Sequence, residues 1–218
     1  MAVITISREL GSLGTYIARQ TAHTLGCPLV DKGMIEKMLQ VVKERQPIKV
    51  GGEELLQKWD INGGEMVYLY DRVIQAAARW GDQVMLGRGS FAILTRYPDV
   101  LNVRIQAPFE LRVQRVLAKE HLSHQADVET LVRESDRVRS QFIQNWYGVQ
   151  WEAASSFDLV IDTSKIPTDV AVSWLVEGFQ VIKDFSEPDL ITTRNIEVDE
   201  GIQQVVAELL DQQLELAH

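Results

Sequence analysis

Arginine is well shaped to grip phosphate, because its planar fork matches two oxygens at once. The sequence places arginines where that could matter. In "APFELRVQRVLAKE", Arg112, Arg115 and Lys119 follow an i, i+3, i+7 spacing that lines three cations along one helical face, while Leu111, Val116 and Leu117 turn toward a core. A solvated basic face is the competing reading. The segment through "LVRESDRVRSQFIQNW" packs through Val128, Leu131, Val132, Ser135, Val138, Phe142 and Trp146, with Arg133, Asp136, Arg137 and Arg139 largely elsewhere. Glu129 precedes Arg133 by four residues and accounts for it structurally. Arg137 and Arg139 have less local compensation. Five arginines on two neighbouring helical segments of an acidic protein describe a site that expects negative charge.

A second kind of anion chemistry needs no side chain. "AVITISRELGSLGTYIARQTAHTLG", from Ala2 to Gly26, reads as a buried strand, a glycine-bearing turn and an amphipathic helix. Such a turn offers unpaired N–H groups at the positive end of a helix dipole, and Gly11 and Gly14 let an anion approach the backbone. The sharp form of this design opens the helix with a lysine and then a hydroxyl residue. Here Gly14, Thr15 and Tyr16 stand in that place, so the string alone fits a phosphate loop and a plain turn equally. Further along, "MLGRGSFAIL" ends a strand on Gly87, Arg88 and Gly89 at the carboxyl edge of a sheet, where ligands of open parallel sheets bind. Asp31 closes another strand at that edge; it either faces the same pocket as Arg88 or caps the helix that follows.

The elements that must position these residues are legible as an alternation of short apolar runs with stretches of helical period, the pattern of a parallel sheet covered by helices. The strand candidates are "AVITIS", "CPLVD", "QVMLGRG", "VLNVRIQA" and "FDLVIDT". Ile17, Ala18, Thr21, Ala22 and Leu25 share one helical face, stopped by Gly26. From Gln40 to Gly64 the pattern loosens, with Pro47, glycine pairs and a short helical piece around Leu55 and Trp59, as in a mobile flap. A helix is expected from Met66 to Trp80, and another after Thr168 and Asp169 as cap candidates. The final stripe of Ile202, Val205, Val206, Leu209, Leu210 and Leu214 packs either on its own domain or on a second copy in a homodimer.

The 218 residues suit one α/β domain with an appendage, and 45% apolar with 24% charged residues is ordinary for a soluble fold. A net charge of −9 argues against nucleic-acid binding. The single Cys27 excludes an internal disulfide and reads best as a small buried apolar side chain. The first strand follows Met1 directly, leaving no room for a secretory leader, and no apolar run approaches a membrane span, so a cytoplasmic location is expected.

Taken in order, "ITISRELGSLGTYIA", "LGCPLVDKGMIEKM", "VMLGRGSFAIL", "YPDVLNVRIQAPFELRVQRV", "ESDRVRSQF" and "FDLVIDTSKI" resemble the cytidylate kinase-like family of P-loop proteins, a branch of the nucleoside monophosphate kinases. The likeness runs from Ile4 to about Leu175. It implies a three-layer P-loop NTPase-like α/β fold, with a five-stranded parallel sheet and helices on both faces. The domain would span residues 1–185, with a flap at about 32–80 and a lid at about 118–150, followed by a helical extension over 186–218. It also implies a phosphate-binding loop of Arg8, Gly11, Ser12, Leu13, Gly14 and Thr15, acceptor contacts from Asp31, Lys32 and Arg88, and catalytic roles for Arg112, Arg115, Asp136, Arg137 and Arg139. By the same likeness the chain is a kinase-like phosphotransferase that uses ATP and Mg²⁺ on a small acceptor such as CMP or another nucleoside monophosphate. Lined up with the loop of true cytidylate kinases, Gly14 occupies the lysine position, Tyr16 that of the metal-binding hydroxyl, and Lys32 that of a base-contacting serine; the cytidylate kinase-like branch generally lacks that lysine too and offers a further glycine and an arginine where this chain has Leu13 and Thr15. Those departures sustain a rival expectation, a catalytically silent nucleotide- or phosphate-binding module.

Overall fold

Strands covered on both faces read as unbroken apolar runs, and the five runs become five strands: β1 (Val3–Arg8), β2 (Leu29–Val30), β3 (Gln83–Leu86), β4 (Val100–Gln106) and β5 (Leu159–Asp162). The computed structural model of the chain describes residues 1–45, 64–120, 124–184 and 190–217. In it the strands form one sheet in the order β2-β3-β1-β4-β5, with every neighbouring pair parallel. Ile4 lies opposite Val84 on one side and Leu101 on the other, so β1 is the central strand. From β1 the chain crosses to the edge strand β2, returns to β3 on one flank of β1 and then passes to β4 on the other, which opens a crevice at the carboxyl end of β1.

Eight helices accompany the sheet among the described residues: α1 (Gly14–Leu25), α2 (Lys32–Arg45), α3 (Gly64–Trp80), α4 (Ser90–Leu94), α5 (Phe109–Glu120), α6 (Gln125–Tyr147), α7 (Thr168–Asp184) and α8 (Glu200–Ala217). One face of the sheet is sealed by α1 and α7 through Ile4, Ile6, Ile17, Ala18, Ile161, Leu175 and Phe179. The other is sealed by α2, α3 and α8 through Val30, Met38, Val42, Val73, Met85 and Val206. Burying such an aliphatic side chain contributes about 1.5–3 kcal/mol relative to leaving it in water, so the two apolar layers position everything else.

Several local expectations are sharpened. Gly26 ends α1 in the left-handed conformation at φ 62°. Thr168 and Asp169 do not cap α7; they lie within its first turn, where the Pro167 carbonyl accepts from the Ala171 amide at 3.0 Å. The helix expected from Met66 begins at Gly64. The loosened stretch after Gln40 starts as regular helix to Arg45, and Pro47, Leu55 and Trp59 lie outside the described residues. The stripe of α8 packs on α2 and α3 of its own chain, burying Ile202, Val205, Val206, Leu209 and Leu210.

Candidate active site

Where β1 ends, the chain turns through Glu9, Leu10, Gly11, Ser12 and Leu13 into α1. Gly11 is held at φ 82°, and a Cβ there would lie 2.6 Å from the Arg112 carbonyl oxygen, so only glycine fits. Leu13 adopts φ 65° without being glycine, a conformation that costs about 1–2 kcal/mol for a side-chain-bearing residue. Strain of that kind persists only where the surroundings impose it. The Ser12 hydroxyl donates to the Glu9 carbonyl at 2.9 Å and accepts the Gly14 amide at 3.4 Å, and Thr163 Oγ1 donates to the Ser12 carbonyl at 2.9 Å. Among the described residues, the amides of Leu13, Thr15 and Tyr16 have no protein acceptor. The head of α1 therefore presents free donors at its positive end.

The loop is braced by a buried ionic network. Glu9 accepts from the Ala107 amide at 3.1 Å and pairs with Arg104 at 2.9 Å and Arg112 at 3.3 Å. Arg112, only 6% exposed, also donates to the carbonyls of Ala107 and Leu10 and pairs with Asp136 of α6 at 2.8 Å. Arg115 donates to the Gly11 carbonyl at 3.3 Å and to Thr163 at 2.8 and 2.9 Å. These two arginines do not form a solvated face with Lys119. They turn inward, consuming the loop's carbonyl oxygens and leaving its amides outward.

A cavity of about 440 Å³ opens at the carboxyl ends of β1 and β3, beneath α6. Arg8, Lys32, Arg88 and Arg139 bring cations to it, and Leu131, Val138, Phe142 and Trp151 form much of its apolar wall. Arg8 runs from the end of β1 past Gly14 and presses its guanidinium against the backbone of Gly87. Neither Arg8 nor Arg139 pairs with a carboxylate among the described residues; Arg139 donates to the carbonyl and hydroxyl of Ser135. Burial holds the Arg8 guanidinium down at about 10, Arg139 and Arg88 adding repulsion and Asp31 opposing it. Burial likewise lowers Arg139, Asp136 opposing and Arg112 and Arg88 adding to the effect. Cations gathered around one partly apolar cavity favour an anion there.

Arg88 is projected by a turn in which Gly87, Arg88 and Gly89 are all left-handed, at φ 77°, 58° and 76°. Its guanidinium approaches Glu36 at 3.4 Å and the Tyr70 ring at 5.7 Å. Lys32 shares Glu36 at 3.6 Å. Asp31 accepts from the Met34 amide at 3.1 Å, a helix cap, while remaining close enough to act on Arg8. Arg137 is not brought to the cavity: it points outward and pairs with Glu134 at 2.5 Å and Gln141 at 2.7 Å, so its expected lack of compensation is corrected. Arg133 stacks on the Phe109 ring at 4.1 Å, and Glu129 accepts instead from Gln125. Leu131 and Val138, read as packing residues, are 44% and 51% exposed and overlook the cavity.

The sequence reading missed Ser7, Glu9, Arg104, Trp151 and Thr163. Trp151 donates to Ser7 at 2.8 Å and lies under Arg104 at 4.5 Å. Each is an ordinary residue type whose partner stands far away in the chain, so only the acidic and basic character of Glu9 and Arg104 inside apolar runs gave a signal.

Among the described residues no three of His, Cys, Asp or Glu come together to hold a metal, and the hydroxyl-bearing side chains of Thr15 and Tyr16 are exposed at the head of α1. Mg²⁺ keeps most of its waters and takes phosphate oxygens with one or two protein groups, so this arrangement suits a metal that arrives with nucleotide phosphates. No helix of the described residues is long and apolar enough to cross a membrane.

The sequence profile of the cytidylate kinase-like family matches residues 3–165, which include the glycine turn, the cavity and α6. The cytidylate kinase of Pyrobaculum aerophilum is 28% identical over 172 residues, covering 79% of this chain and 89% of that protein. The cytidylate kinase of Pyrococcus horikoshii is 29% identical over 182 residues, covering 83% and 86% respectively. Among solved structures, an uncharacterized protein from Eubacterium ventriosum shares the fold, with a TM-score of 0.67 at 19% identity over 83% of this chain and 99% of that one.

Proposed function

We propose that this chain, which belongs to the cytidylate kinase-like family, transfers the γ-phosphoryl of ATP to a small phosphate-bearing acceptor, with CMP and the other nucleoside monophosphates as the first class. The observation that carries this reading is the convergence of Arg8, Arg88 and Arg139 on one cavity beside the free amides of the Gly11–Gly14 turn. The amides of Leu13, Thr15 and Tyr16 hold the donor's terminal phosphates. Arg88 and Lys32, with Asp31 behind them, hold the acceptor. Arg8 lies between loop and cavity and supplies the charge that a loop lysine brings elsewhere; Arg139, from α6, approaches the transferred group.

In this arrangement an acceptor phosphate oxygen attacks the γ-phosphorus, the bond to the β-phosphate oxygen breaks, and ADP leaves. Such a transfer needs positioning and charge neutralisation more than covalent chemistry by the protein. Bound with the nucleotide, Mg²⁺ would neutralise the phosphate oxygens. Arg112, Arg115 and Asp136 act on the loop, fixing its carbonyls so that its amides face the donor.

A coupled assay of ADP release against a panel of nucleoside monophosphates, with and without Mg²⁺, tests the proposal. Turnover above background for at least one acceptor is expected; background rates for all of them sink it. The second reading, a silent binder, is favoured by Gly14 at the lysine position and by the exposed Tyr16. Calorimetry separates the two, because a binder gives heat with nucleotide and no turnover.

A further inference from the structure

Three features meet at the turn that carries Arg88. Three successive left-handed residues form an arrangement that a chain does not adopt unaided, and Arg88 adopts it with a side chain. The hydroxyl end of the Tyr147 ring, on the last residue of α6, lies against Gly89: a Cβ at that glycine would be 2.6 Å from Tyr147 Cε2 and 3.2 Å from its hydroxyl oxygen. The same hydroxyl donates to Asp71 Oδ1 of α3 at 2.8 Å. The neighbour of Asp71, Tyr70, carries the Arg88 guanidinium over its ring. Consecutive residues of α3 thus engage the two ends of one clamp, the tyrosine that covers the turn and the arginine that the turn projects.

We propose that Tyr147 and Asp71 are positioning residues for the acceptor phosphate: their hydrogen bond ties α3 to α6 across Gly89 and thereby fixes the direction of Arg88. The inference rests on the reading of Arg88 as an acceptor ligand. The pair is half-buried: burial raises the Asp71 carboxyl, the Tyr147 hydrogen bond opposing it, and burial and the charge of Asp71 raise the Tyr147 phenol. A bond in such surroundings is stronger than one in water, and leaving either partner alone there is costly. Neither residue lines the cavity, so their influence on a ligand must pass through the turn.

Tyr147→Phe keeps the ring on Gly89 and removes only the bond to Asp71. The expected result is an acceptor KM raised about tenfold, with kcat and the ATP KM within about twofold and the melting temperature lowered by only a few degrees. Asp71→Ala should give a similar shift, and the double variant no more than either single one, because the two act as a unit. Equal losses for ATP and acceptor, or no change for either, overturn the positioning role. Calorimetric titration of CMP into the same proteins separates this inference from the transfer reading. Wild-type binding without turnover, weakened about tenfold by Tyr147→Phe, leaves the positioning role standing and removes the transfer. Normal turnover by wild type and variant alike removes the positioning role only. No nucleotide binding by the wild type overturns both.

Discussion

The stem of Arg8 fills the space that a side chain at Gly14 would need: a Cβ on Gly14 would sit 2.5 Å from the Cβ of Arg8 and 3.1 Å from that of Ile105. The Cβ at position 8 thus keeps position 14 as glycine, and the cation beside the loop sits on the strand rather than on the helix.

That exclusion predicts that Gly14→Lys, the substitution that would restore a lysine-bearing loop, fails. It should destabilise the fold by about 1–3 kcal/mol through overpacking and weaken ATP binding. The double variant Arg8→Gly/Gly14→Lys, which removes the Cβ at position 8, should bind ATP more tightly than Gly14→Lys alone. Thermal melts and ATP titration of the three proteins check the coupling; a double variant no better than the single one removes it.

Arg8 and Arg139, held beside Arg88 with no carboxylate paired to either among the described residues, are an electrostatic burden until an anion arrives. Arg8→Met keeps most of the stem and removes the charge, so the ligand-free protein should melt no lower than wild type. Its kcat/KM should fall by about 10²–10³, the usual cost of losing one preorganised charge contact. The gain in melting temperature on adding CMP and an ATP analogue should shrink as well. A marked drop in ligand-free stability would mean that Arg8 is a packing residue first.

Glu9 offsets the charge of two buried arginines, Arg104 and Arg112. Glu9→Gln conserves shape, strands the Arg104 guanidinium and leaves Arg112 with Asp136 alone, which should cost about 3–5 kcal/mol and lower the melting temperature by about 10 °C for a chain of this size. Calorimetric melting measures it. Because Arg112 also holds the Leu10 carbonyl, the ATP KM should rise in the protein that remains folded.

Cys27 supplies a pH-dependent check. Burial first, and the charge of Asp82 second, push its thiol up from 9.0 to about 12. The folded state thus keeps its proton where the unfolded chain has lost it, so this contribution to stability is complete below pH 9.0 and is lost as pH rises toward about 12. In practice the native thiol should resist iodoacetamide at pH 8, reacting at least about a hundredfold more slowly than in denaturant. Peptide mass after timed quenching reads the rate; fast native labelling would place Cys27 in a more polar setting.

The layered fold was legible because its information is local. Five apolar runs and the glycine at Gly26 needed only neighbours in sequence, and the five strands appear where those runs lie. The cations were harder. A helical period puts Arg112 and Arg115 on one face but does not say whether that face meets water, and their partners Leu10, Asp136 and Thr163 are 102, 24 and 48 residues away. Arg137 and Arg139 are separable in principle: two residues apart on a helix they point to nearly opposite sides, and only Arg139 reaches the cavity. Leu131 and Val138 misled for another reason. Hydrophobicity marks surface that avoids water, and the wall of a ligand cavity satisfies that as well as a core does.

The backing of α2 and α3 by α8 has a consequence for how the chain is made. Strand pairing and the α1–α7 layer can be complete before residues 200–217 have been synthesised, but Val42, Val73 and Ile74 on the opposite face find their full cover only in Val205, Val206, Leu209 and Leu210. During translation that face of the nascent chain stays sticky until α8 leaves the ribosome. The interval is a window for chaperone engagement, and a frameshift just before Glu200 would leave an aggregation-prone product even though the glycine turn and the cavity had already been written.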